Sequence, residues 1–554
     1  MENKAEHRLL NALEHIQQTQ GAVSDEALKA LAEEWGQPLY RLEGLRSFYP
    51  VFRETAGAPN RLQICRDGPC RLKDEGAAEA LKAALKDRTD IDIEMVSCLG
   101  LCDCAPAAAL NDSPGPLPDR AGVDAWLDGV SEISEDSHLK NLKDRHLPTD
   151  PYPDATARYS ASAQWLKRPA EDIIAEIDAA GLQGLGGAAF PTARKWQFTR
   201  AAPGEPRTVI CNADESEPGT FKDRHLLEHA PHLVIEGMLM GGAVIGARQG
   251  IIYLRHEYQQ ARAAISDALA QARAKGILGP NAHGEGLAFN IELFISPGGY
   301  ILGEETALLE ALEDRRGEPR HKPPFPTNAG LYGGPTLINN VETLAAVSTI
   351  LARGASWWRD QGVGEHAGRK YVSVSGDVQN PQVLCLPWGT TVAEAIERCG
   401  GMADGRDLLA FSPGGASTPF LPASAANTPM TFDDLRQAGS GLGTGALFVV
   451  GTGRNLAEVL LGQARFFRNE SCGKCVPCRV GSNKGVALAE AALNQQPNAI
   501  DAELNALHQT LMRTSICGLG QVALLPLVDG LQRFPDEPSL QPLKGQAPQT
   551  PGAK

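Results

Sequence analysis

The chain has 554 residues, of which 42% are hydrophobic and 21% charged, and its formal net charge is −15. This length predicts about three or four globular domains, and the acidic balance disfavours nucleic acid or an anionic membrane surface as the main partner. The N-terminus lacks the apolar segment of an export signal. Glu236 and Arg248 interrupt the most apolar stretch, whereas a bilayer span needs about 20 uninterrupted residues. We therefore expect a cytoplasmic protein without a transmembrane helix.

Helical periodicity opens the chain and then gives way to α/β patterns. Leu9, Leu13 and Ile16 fall on one helical face, and Ser24 precedes a second helix as its cap. Alternating strands and helices, a polar linker, glycine loops, short strands and C-terminal helices follow in that order. The predicted boundaries are 1–55 (helical bundle), 56–135 (small α/β domain), 136–160 (linker), 161–350 (large α/β domain), 368–452 (β-rich module), 453–535 (helical domain) and 536–554 (disordered tail).

Two cysteine pairs lie on two loops of the small α/β domain. The segment CRDGPC places four residues between Cys65 and Cys70, and CLGLC places three between Cys98 and Cys102. Two pairs of thiolates, one pair for each iron, fit a [2Fe–2S] cluster. A zinc site with four cysteine ligands is the alternative, although this spacing is a poor zinc pattern. Cys104 is a fifth thiol nearby, which we interpret as a bystander rather than a substitute ligand.

Three cysteines two residues apart open the C-terminal helical domain. Cys472, Cys475 and Cys478 form a C-x2-C-x2-C run, and a fourth thiol, Cys517, lies in SICGLGQ. This spacing lets neighbouring thiolates reach separate irons of a cubane while a remote cysteine binds the last one, so it predicts a [4Fe–4S] cluster. A zinc site is again the alternative, but four-cysteine zinc sites usually come as two separated pairs. The twelve cysteines of the chain fit a reducing compartment in which thiolates bind metal.

The large α/β domain contains glycine loops and clusters of polar side chains. Glycine loops let backbone amides approach a phosphate or a flat ring, and carboxylates and amides suit ribose and ring edges. Each segment alone is equally well a capped helix or a polar loop, but together they indicate a pocket for a flavin and a second nucleotide. The chain has no nucleophile elbow and no Walker loop, so acyl or phosphoryl transfer is unsupported. The pocket candidates are Gly184, Gly186, Gly187, Asp214, Glu215, Glu217, Glu304, Glu305, Lys322, Phe325, Asn339, Asn340 and Thr343.

Several segments resemble the flavoprotein subunit of respiratory complex I and its relatives. The matching stretches within residues 160–535 are GLGGAAFPTARKW, NADESEPGTFKDR, YILGEETALLEALE, RHKPPFP, NNVET, ESCGKCVPCR and SICGLG. Residues 1–130 are similar to the small thioredoxin-like [2Fe–2S] subunit of the same complexes. The phrases RHKPPFPTNAGLYGGPTLINNVETL, SPGGASTPFLPAS and SICGLGQ look most like the diaphorase (beta) subunits of cytoplasmic NAD-dependent formate dehydrogenases. The diaphorase subunits of NAD-linked hydrogenases are the alternative resemblance.

The resemblance implies a multidomain fold of α/β and α+β type. A helical bundle (1–55) precedes a thioredoxin-like [2Fe–2S] domain (56–135), and a Rossmann-like domain for FMN and NAD (161–350) follows. A ubiquitin-like β-grasp module of the SLBB type (368–452) and a helical bundle with the [4Fe–4S] cluster (453–535) complete the chain. Fusion of the two kinds of subunit occurs in the diaphorase subunits of soluble enzymes.

The resemblance also implies roles for individual residues, with hydride transfer at FMN and no side chain acting as acid or base. The positions that match residues around FMN are Gly184, Gly186, Gly187, Lys195, Asn212, Asp214, Tyr300, Gly303, Glu304, Asn340 and Thr343. Aromatic residues that enclose the adenine match Phe190, Phe198 and Phe325. Positions that meet the nicotinamide nucleotide match Glu217, Glu305 and Lys322, and Glu215 and Asn339 join the cofactor-binding set.

The chain departs from the family pattern at a few positions near this pocket. Leu302 stands where relatives usually have cysteine, Ala189 replaces a common glycine, and SPGGY replaces the usual GAGAY. These changes suit packing positions and loops. Leu185 replaces a common arginine, which removes a positive charge near the nucleotide, so we expect a different cofactor affinity.

The resemblance implies a diaphorase subunit that moves electrons between NAD(H), FMN and the iron–sulfur clusters. It favours reduction of NAD by formate, which a large partner subunit with a molybdenum or tungsten pterin cofactor and further iron–sulfur clusters would oxidise. A hydrogenase partner, a quinone-linked complex I and a zinc-stabilised scaffold without redox chemistry are the alternatives. We expect the [2Fe–2S] cluster to store electrons beside the main route, and the assembly to be a dimer of heterodimers.

Overall fold

The computed structural model describes residues 8–128, 147–363, 366–494 and 499–545. The first part of the predicted linker (136–160), residues 136–146, lies outside these ranges. Its described end packs onto the large α/β domain, since the side chains of Leu147, Tyr152 and Tyr159 are buried in the core of that domain. The end of the predicted linker is therefore part of a folded domain.

Three helices form the N-terminal bundle, α1 (Leu9–Gln20), α2 (Asp25–Trp35) and α3 (Leu39–Phe48). As predicted, Ser24 caps α2, because its side chain accepts a hydrogen bond from the Ala27 amide. The apolar faces of the three helices share one core with the large α/β domain and the C-terminal helices. The bundle is thus packed against the rest of the chain.

The small α/β domain consists of a sheet and helices, β1 (Asn60–Cys65), α4 (Gly68–Lys73), α5 (Ala77–Leu85), β2 (Ile91–Val96), β3 (Ala107–Leu110), β4 (Ser113–Pro116) and α6 (Arg120–Leu127). The strand order is β2–β1–β3–β4, with β1 and β2 parallel and β3 and β4 antiparallel. Because β1 and β2 are parallel, the two cysteine loops that follow them lie at the same edge of the sheet.

The strands of the large α/β domain are β5 (Thr208–Ala213), β6 (Gln249–Leu254), β7 (Gly279–Ala282), β8 (Leu287–Ile295) and β9 (Thr336–Asn340). Its helices are α7 (Ser160–Trp165), α8 (Ala170–Ala179), α9 (Thr192–Ala201), α10 (Lys222–His229), α11 (Pro231–Ile245), α12 (Gln259–Ala274), α13 (Glu305–Leu312), α14 (Pro326–Ala329), α15 (Val341–Arg353) and α16 (Ala355–Arg359). In the order β7–β8–β6–β5–β9, all strands but the edge strand β7 are parallel. The strand order reverses between β5 and β9, and ligands of such sheets bind at the carboxyl ends of the strands at this switch point.

Successive residues of β6 face opposite sides of this sheet. Ile252 and Leu254 lie in the core that contains α11 and α15, whereas Ile251 and Tyr253 lie in the core shared with the N-terminal bundle. Helices of the domain itself therefore cover one face. The N-terminal bundle and the C-terminal helices cover the other.

The β-rich module contains β10 (Arg369–Gly376), β11 (Gln382–Pro387), α17 (Val392–Arg398), β12 (Leu408–Ser412), β13 (Leu421–Pro422), α18 (Phe432–Gln437) and β14 (Ala446–Gly451). Its sheet has the order β11–β10–β14–β12–β13, with β10 and β14 parallel and the outer pairs antiparallel. Thr391 and Glu394 form a capping box that begins α17.

The C-terminal helices are α19 (Leu456–Asn469), α20 (Val476–Asn494), α21 (Asp501–Thr514), α22 (Gly518–Val522) and α23 (Leu525–Arg533). The prediction of a disordered tail over 536–554 is wrong for part of that range. Pro538–Leu543 forms a 3-10 helix, in which Leu540 and Leu543 are fully buried in the same core as α19 and α20. Burial of these two leucines favours order despite the polar composition around them. Residues 546–554 lie outside the described residues.

No helix in the described part of the chain combines the length and the apolar character that a bilayer crossing requires. The apolar stretch that includes Glu236 forms α11 and β6, and both are buried inside the large α/β domain. Its apolar residues therefore contribute to a domain core.

Candidate functional site

The four cysteines of the small domain gather at one edge of its sheet. Cys65 ends β1, Cys70 lies in α4, and Cys98 and Cys102 follow β2. All four are at most 4% exposed, and the Sγ atoms of Cys98 and Cys102 are 3.5 Å apart. The adjacent thiols of Cys70 and Cys98 raise the pKa of Cys65. Four sulfur donors on two neighbouring loops fit a [2Fe–2S] cluster, in which each iron takes two of them.

Two backbone N–H groups point at sulfurs of this set. Gly100 donates to Cys98 Sγ at 3.4 Å, and Gly219, from the large domain, donates to Cys102 Sγ at 3.3 Å. Hydrogen bonds of this kind stabilise the charge on a cluster and tune its potential. The large domain therefore supplies part of the surroundings of the first cysteine set.

Cys104 lies two residues beyond Cys102 and is only partly buried. Burial raises the pKa of its thiol to about 12, and its largest charged neighbours are Asp103 and Arg224. These neighbours differ from those of the four buried cysteines. The assignment of Cys104 as a bystander stays a prediction.

The second cysteine set lies where α20 begins. Cys478 is in the first turns of α20 and is 5% exposed, whereas Cys472, Cys475 and Cys517 are partly exposed. Burial raises the pKa of Cys478 to about 11 and that of Cys517 to about 12, and neighbouring thiols of the set contribute to both shifts. The run and the remote cysteine thus come together, as a [4Fe–4S] cluster requires.

A cavity of about 450 Å³, which we call the central cavity, opens at the switch point between β5 and β9. Walls of this cavity come from the large domain, from Ser417 and Thr444 of the β-rich module, and from Gly518 and Leu519 of α22. The predicted cofactor residues that line it are Gly186, Asn212, Asp214, Glu215, Glu217, Tyr300, Gly303, Glu304 and Asn340. Its position is the one expected for a ligand of a doubly wound sheet.

The glycine loop closes one end of the central cavity. A Cβ atom at Gly186 would lie 2.8 Å from the Cβ of Asn340, so a larger residue would displace that side chain. The Gly184 amide donates to the Phe190 carbonyl at 2.9 Å, which turns the loop back on itself, and Gly187 has a φ of +117°. Close approach of backbone to a ligand, as predicted for this loop, needs such small residues.

Two predicted cofactor residues lie behind the cavity and support its walls. The Asn339 side chain accepts a hydrogen bond from Trp196 Nε1 at 3.0 Å, and it is 5% exposed. The hydroxyl of Thr343, which is fully buried, accepts a hydrogen bond from the Leu185 amide at 2.9 Å. The geometry therefore gives Asn339 and Thr343 supporting positions, and the glycine loop is held by Thr343.

Carboxylates at the end of β5 are buried and fully engaged. Asp214 accepts hydrogen bonds from the hydroxyls of Ser216 at 2.6 Å and Ser296 at 2.7 Å, and burial raises its pKa to about 6. Glu215 accepts from the Asp223 amide at 2.9 Å, and burial raises its pKa to about 7. These two side chains fix the shape of the loop and give the cavity a negative wall.

Glu217 lies deeper along the same wall. Its Oε2 accepts a hydrogen bond from the Tyr300 hydroxyl at 2.6 Å, and its Oε1 accepts from the Ser417 amide at 2.6 Å. Burial raises the pKa of Glu217, while these two donors oppose the rise. On the adjacent wall, Asn212 Nδ2 donates to the Gly303 carbonyl at 2.8 Å.

A cluster of charges adjoins the central cavity, which it reaches through Glu304. Lys322 Nζ is 2.8 Å from a carboxylate oxygen of Glu304 and 2.8 Å from one of Glu305, and Lys195 Nζ is 3.7 Å from Glu305. Burial alone would raise the pKa of Glu305, but the two ammonium groups hold it below its ordinary value. Burial lowers the pKa of Lys195. A cluster with both signs of charge suits the ribose and phosphate groups of a nucleotide.

Three phenylalanines that the sequence predicts around an adenine are exposed. Phe190 is 43%, Phe198 48% and Phe325 53% exposed, and the ring centroids of Phe190 and Phe198 are 6.4 Å apart. A group of exposed aromatic rings is typical of a surface that binds a ligand or a partner. Their exposure agrees with a stacking surface for a flat ring.

Sequence reasoning missed several residues that border the central cavity. Thr220 lines it from the loop after β5, Lys222 and Asp223 line it from the start of α10, and Ser417 and Thr444 line it from the β-rich module. Lys222 lies within the segment NADESEPGTFKDR, in which the acidic residues give the stronger signal. Ser417 and Thr444 carry no local signal, because only the folded chain brings their module to the cavity.

Family models match four parts of the chain. A thioredoxin-like [2Fe–2S] ferredoxin matches residues 1–129, a Nuo51 FMN-binding domain 177–349, an SLBB domain 371–421, and the NADH-ubiquinone oxidoreductase-F iron–sulfur binding region 458–540. These matches confirm the predicted fold class, with its thioredoxin-like domain, FMN domain, SLBB module and C-terminal [4Fe–4S] region. They also confirm the predicted FMN, [2Fe–2S] and [4Fe–4S] cofactors at the level of domains.

Named relatives are similar over about two thirds of the chain. The NADH-quinone oxidoreductase F subunit of Rickettsia felis is 43% identical over 376 residues, which are 67% of this chain and 89% of that protein. The corresponding protein of Aquifex aeolicus is 42% identical over 382 residues, 68% of this chain and 88% of that protein. A chain of a NAD+-reducing [NiFe]-hydrogenase, solved in the air-oxidised state, has a TM-score of 0.83 and 31% identity and covers 97% of this chain and 94% of its own length.

The fold and the site define an iron–sulfur flavoprotein, with a nucleotide-type cavity at the switch point of its sheet and two cysteine sets beside it. The chain belongs to the family of the NADH-quinone oxidoreductase F subunits, for which NAD(H) is the substrate. It fuses a thioredoxin-like [2Fe–2S] domain to the N-terminus of that flavoprotein.

Proposed function

We propose that the chain is the diaphorase subunit of an NAD-linked oxidoreductase, in which electrons pass between NAD(H), FMN and the [4Fe–4S] cluster. One observation carries the proposal. Gly518 and Leu519 directly follow the cluster cysteine Cys517, and both line the central cavity together with Asn212 and Glu217. Because Gly518 is the next residue after Cys517, a ligand in that cavity would lie close to the cluster, which favours rapid electron transfer.

The residues of the chain would act by binding and positioning. Bound FMN supplies the conversion between two-electron exchange with a nicotinamide and one-electron exchange with a cluster. Gly186, Asn212 and Asn340 offer small backbone surfaces and amide groups to the flavin. Glu217 would meet the nicotinamide and Glu305 the ribose of the adenosine, as the family resemblance implies. No side chain is required to move a proton.

The first cysteine set has a different relation to the cavity. Its cysteines contact the loop after β5, through Gly219 and Cys102 Sγ, but they do not line the central cavity. We therefore propose that the [2Fe–2S] cluster stores electrons beside the main route. The [4Fe–4S] cluster connects FMN with the partner.

The partner that we propose is a large cytoplasmic protein that oxidises formate with a molybdenum or tungsten pterin cofactor and further iron–sulfur clusters. The support is the segments RHKPPFPTNAGLYGGPTLINNVETL and SPGGASTPFLPAS, which resemble formate dehydrogenase beta subunits. Both segments border the central cavity, the first through Asn340 and the second through Ser417. A dimer of such heterodimers is the proposed assembly.

A hydrogen-oxidising partner is the second candidate, and a specific observation favours it. The solved NAD+-reducing [NiFe]-hydrogenase chain covers 97% of this chain, so it includes a counterpart of the N-terminal domain. The quinone oxidoreductase relatives are shorter, since 376 residues are already 89% of the Rickettsia felis protein. The fusion thus supports a diaphorase of the hydrogenase or formate dehydrogenase kind over a quinone-linked complex.

Purification of the complex from its own cells, without oxygen, tests the proposal. We expect NADH to reduce an artificial dye, and we expect formate to reduce NAD only when a large pterin-bearing partner is present. If the partner contains nickel and consumes hydrogen, the electron donor is hydrogen instead of formate, and the diaphorase assignment stands. A complex without flavin, in which NADH reduces no dye, would contradict the proposed function.

A further inference from the structure

Hydrogen bonds join the SLBB module to the loop that follows β5. The Ser417 amide donates to Glu217 Oε1 at 2.6 Å, and the Ser373 hydroxyl of β10 accepts a hydrogen bond from the Phe221 amide at 2.9 Å. These contacts join residues about 150 to 200 positions apart in the chain. The loop that carries Glu217 is therefore shaped by a domain outside the Rossmann-like fold.

The Glu217 carboxylate is held in one orientation. It is 5% exposed, and its two oxygens accept hydrogen bonds from different domains, one from Tyr300 and one from Ser417. A buried carboxylate depends on such donors, because each unpaired oxygen would cost the desolvation energy of a charged group. Loss of either donor, or any displacement of the side chain, would therefore alter where the charge lies in the cavity.

Because Gly415 has no side chain, the side chain of Glu217 can occupy the space next to it. A Cβ atom at Gly415 would lie 2.7 Å from Cγ and 3.0 Å from Oε1 of Glu217, whereas ordinary contacts begin near 3.4 Å. The φ of Gly415 is +90°. The module thus receives the Glu217 side chain in a recess that has no room for a Cβ atom at Gly415.

The turn that forms this recess is itself tightly bonded. The Ser412 hydroxyl, at the end of β12, donates to the Gly415 carbonyl at 2.7 Å and lies 2.9 Å from Thr418 Oγ1. The Thr418 hydroxyl also accepts a hydrogen bond from the Gly414 amide at 3.2 Å. Because Ser412 is fully buried in the sheet of the module, the turn is fixed to a rigid element.

We propose that the Gly415–Ser417 turn of the SLBB module is a positioning element for the nicotinamide nucleotide and acts through Glu217. Gly415 and Ser417 are positioning residues, since they contact Glu217 and the nucleotide would contact Glu217. The proposal rests on the proposed function, in which Glu217 meets the nicotinamide. It assigns a part in substrate binding to a module that contains none of the predicted cofactor residues.

A matched pair of glycine substitutions tests this role in the complete complex. Gly415→Ala and Gly401→Ala both place a Cβ at a positive φ in the same module, +90° and +86°, but nothing lies within 4 Å of the added atom at Gly401. We expect Gly415→Ala to raise KM for NADH and the Kd for NAD+ by about tenfold or more, because a displacement near 1 Å has effects of that size. Flavin content should stay equal in the two variants.

A double substitution separates positioning from general damage. In a Glu217→Ala background the clash partner is missing, so adding Gly415→Ala should change the Kd for NAD+ by less than about twofold. Equal effects of Gly415→Ala and Gly401→Ala would overturn the inference, as would a full effect of Gly415→Ala in the Glu217→Ala background. If the wild-type complex binds NAD+ without reducing dye from NADH, the proposed function fails, while the Kd comparison still decides the role of the turn.

Discussion

Lys370 of the SLBB module forms a buried ion pair with Glu342 of the flavin domain, with Nζ 2.5 Å from Oε2. Lys370 is 3% and Glu342 2% exposed in the side chain, and burial lowers the pKa of Lys370 to about 8. The same ammonium group is 3.4 Å from the Leu185 carbonyl in the glycine loop. One side chain of the module therefore contacts both the start of α15 and the loop that closes the central cavity.

Lys370→Met should destabilise the chain, because it leaves the Glu342 carboxylate buried without one of its cations. Lys222 Nζ remains 2.9 Å from Glu342, so we expect a loss of about 1–3 kcal/mol, less than for a fully unpaired buried charge. The unfolding temperature should fall, and flavin should dissociate more readily. Lys82→Met is the matched control, since Lys82 pairs with Glu79 at the surface. Equal unfolding temperatures of the two variants would contradict this account of the interface.

The second prediction concerns metal and flavin content. Two complete cysteine sets and one flavin cavity predict about six iron atoms and one FMN for each chain purified without oxygen. Iron, zinc and flavin are measured on the same sample by elemental analysis and by absorbance after denaturation. Zinc in place of iron at either set would refute the cluster assignment.

The third prediction concerns the choice between NAD(H) and NADP(H). A carboxylate at Glu305 can accept a hydrogen bond from a ribose 2′-hydroxyl and repels a 2′-phosphate. Glu305→Gln removes that charge and frees Lys195 and Lys322 to meet a phosphate, so the preference for NADH should fall by about tenfold or more, equivalent to roughly 1.4 kcal/mol. Rates of dye reduction with NADH and NADPH measure the change. Glu285→Gln, on an exposed turn, is the control and should keep the wild-type ratio. Equal wild-type rates with the two nucleotides would refute the assigned role.

Local patterns allowed much of this architecture to be predicted from the sequence. The spacing of the cysteines, as in the run that includes Cys475, predicts the geometry of the cluster ligands directly. The glycine loop around Gly186 predicts that the backbone closely approaches a ligand. Ser417 could not be found in this way, because it lies 200 residues from Glu217 and offers only an amide, which every residue except proline possesses. The order of Leu540 and Leu543 was also missed, since burial against distant helices outweighs a polar local composition.

The fourth prediction is a dependence of stability on pH. Burial and the nearby Asp223 raise the pKa of Glu215 to about 7 from an ordinary value of 4.5, so the folded protein holds this proton more tightly than the unfolded chain does. The contribution of Glu215 to the free energy of unfolding is therefore greatest below pH 4.5 and is lost as the pH rises to about 7. The loss is at most roughly 3 kcal/mol. Glu215→Gln should flatten the fall in unfolding temperature across that window. Glu26→Gln, at an exposed position of α2, should keep the wild-type slope, and an unchanged slope in Glu215→Gln would contradict the prediction.

In the proposed function, electrons pass between FMN and the partner through the cluster of Cys472, Cys475, Cys478 and Cys517, and Cys478→Ala interrupts this route. Two activities are measured on one preparation of the complex: dye reduction by NADH, and NAD reduction by the substrate of the partner, formate or hydrogen. Cys385→Ala, which removes a thiol outside both sets, is the control. We predict that Cys478→Ala keeps dye reduction by NADH and loses partner-driven NAD reduction, while the control keeps both. Persistence of partner-driven NAD reduction in a variant whose spectrum lacks the [4Fe–4S] signal would contradict the account.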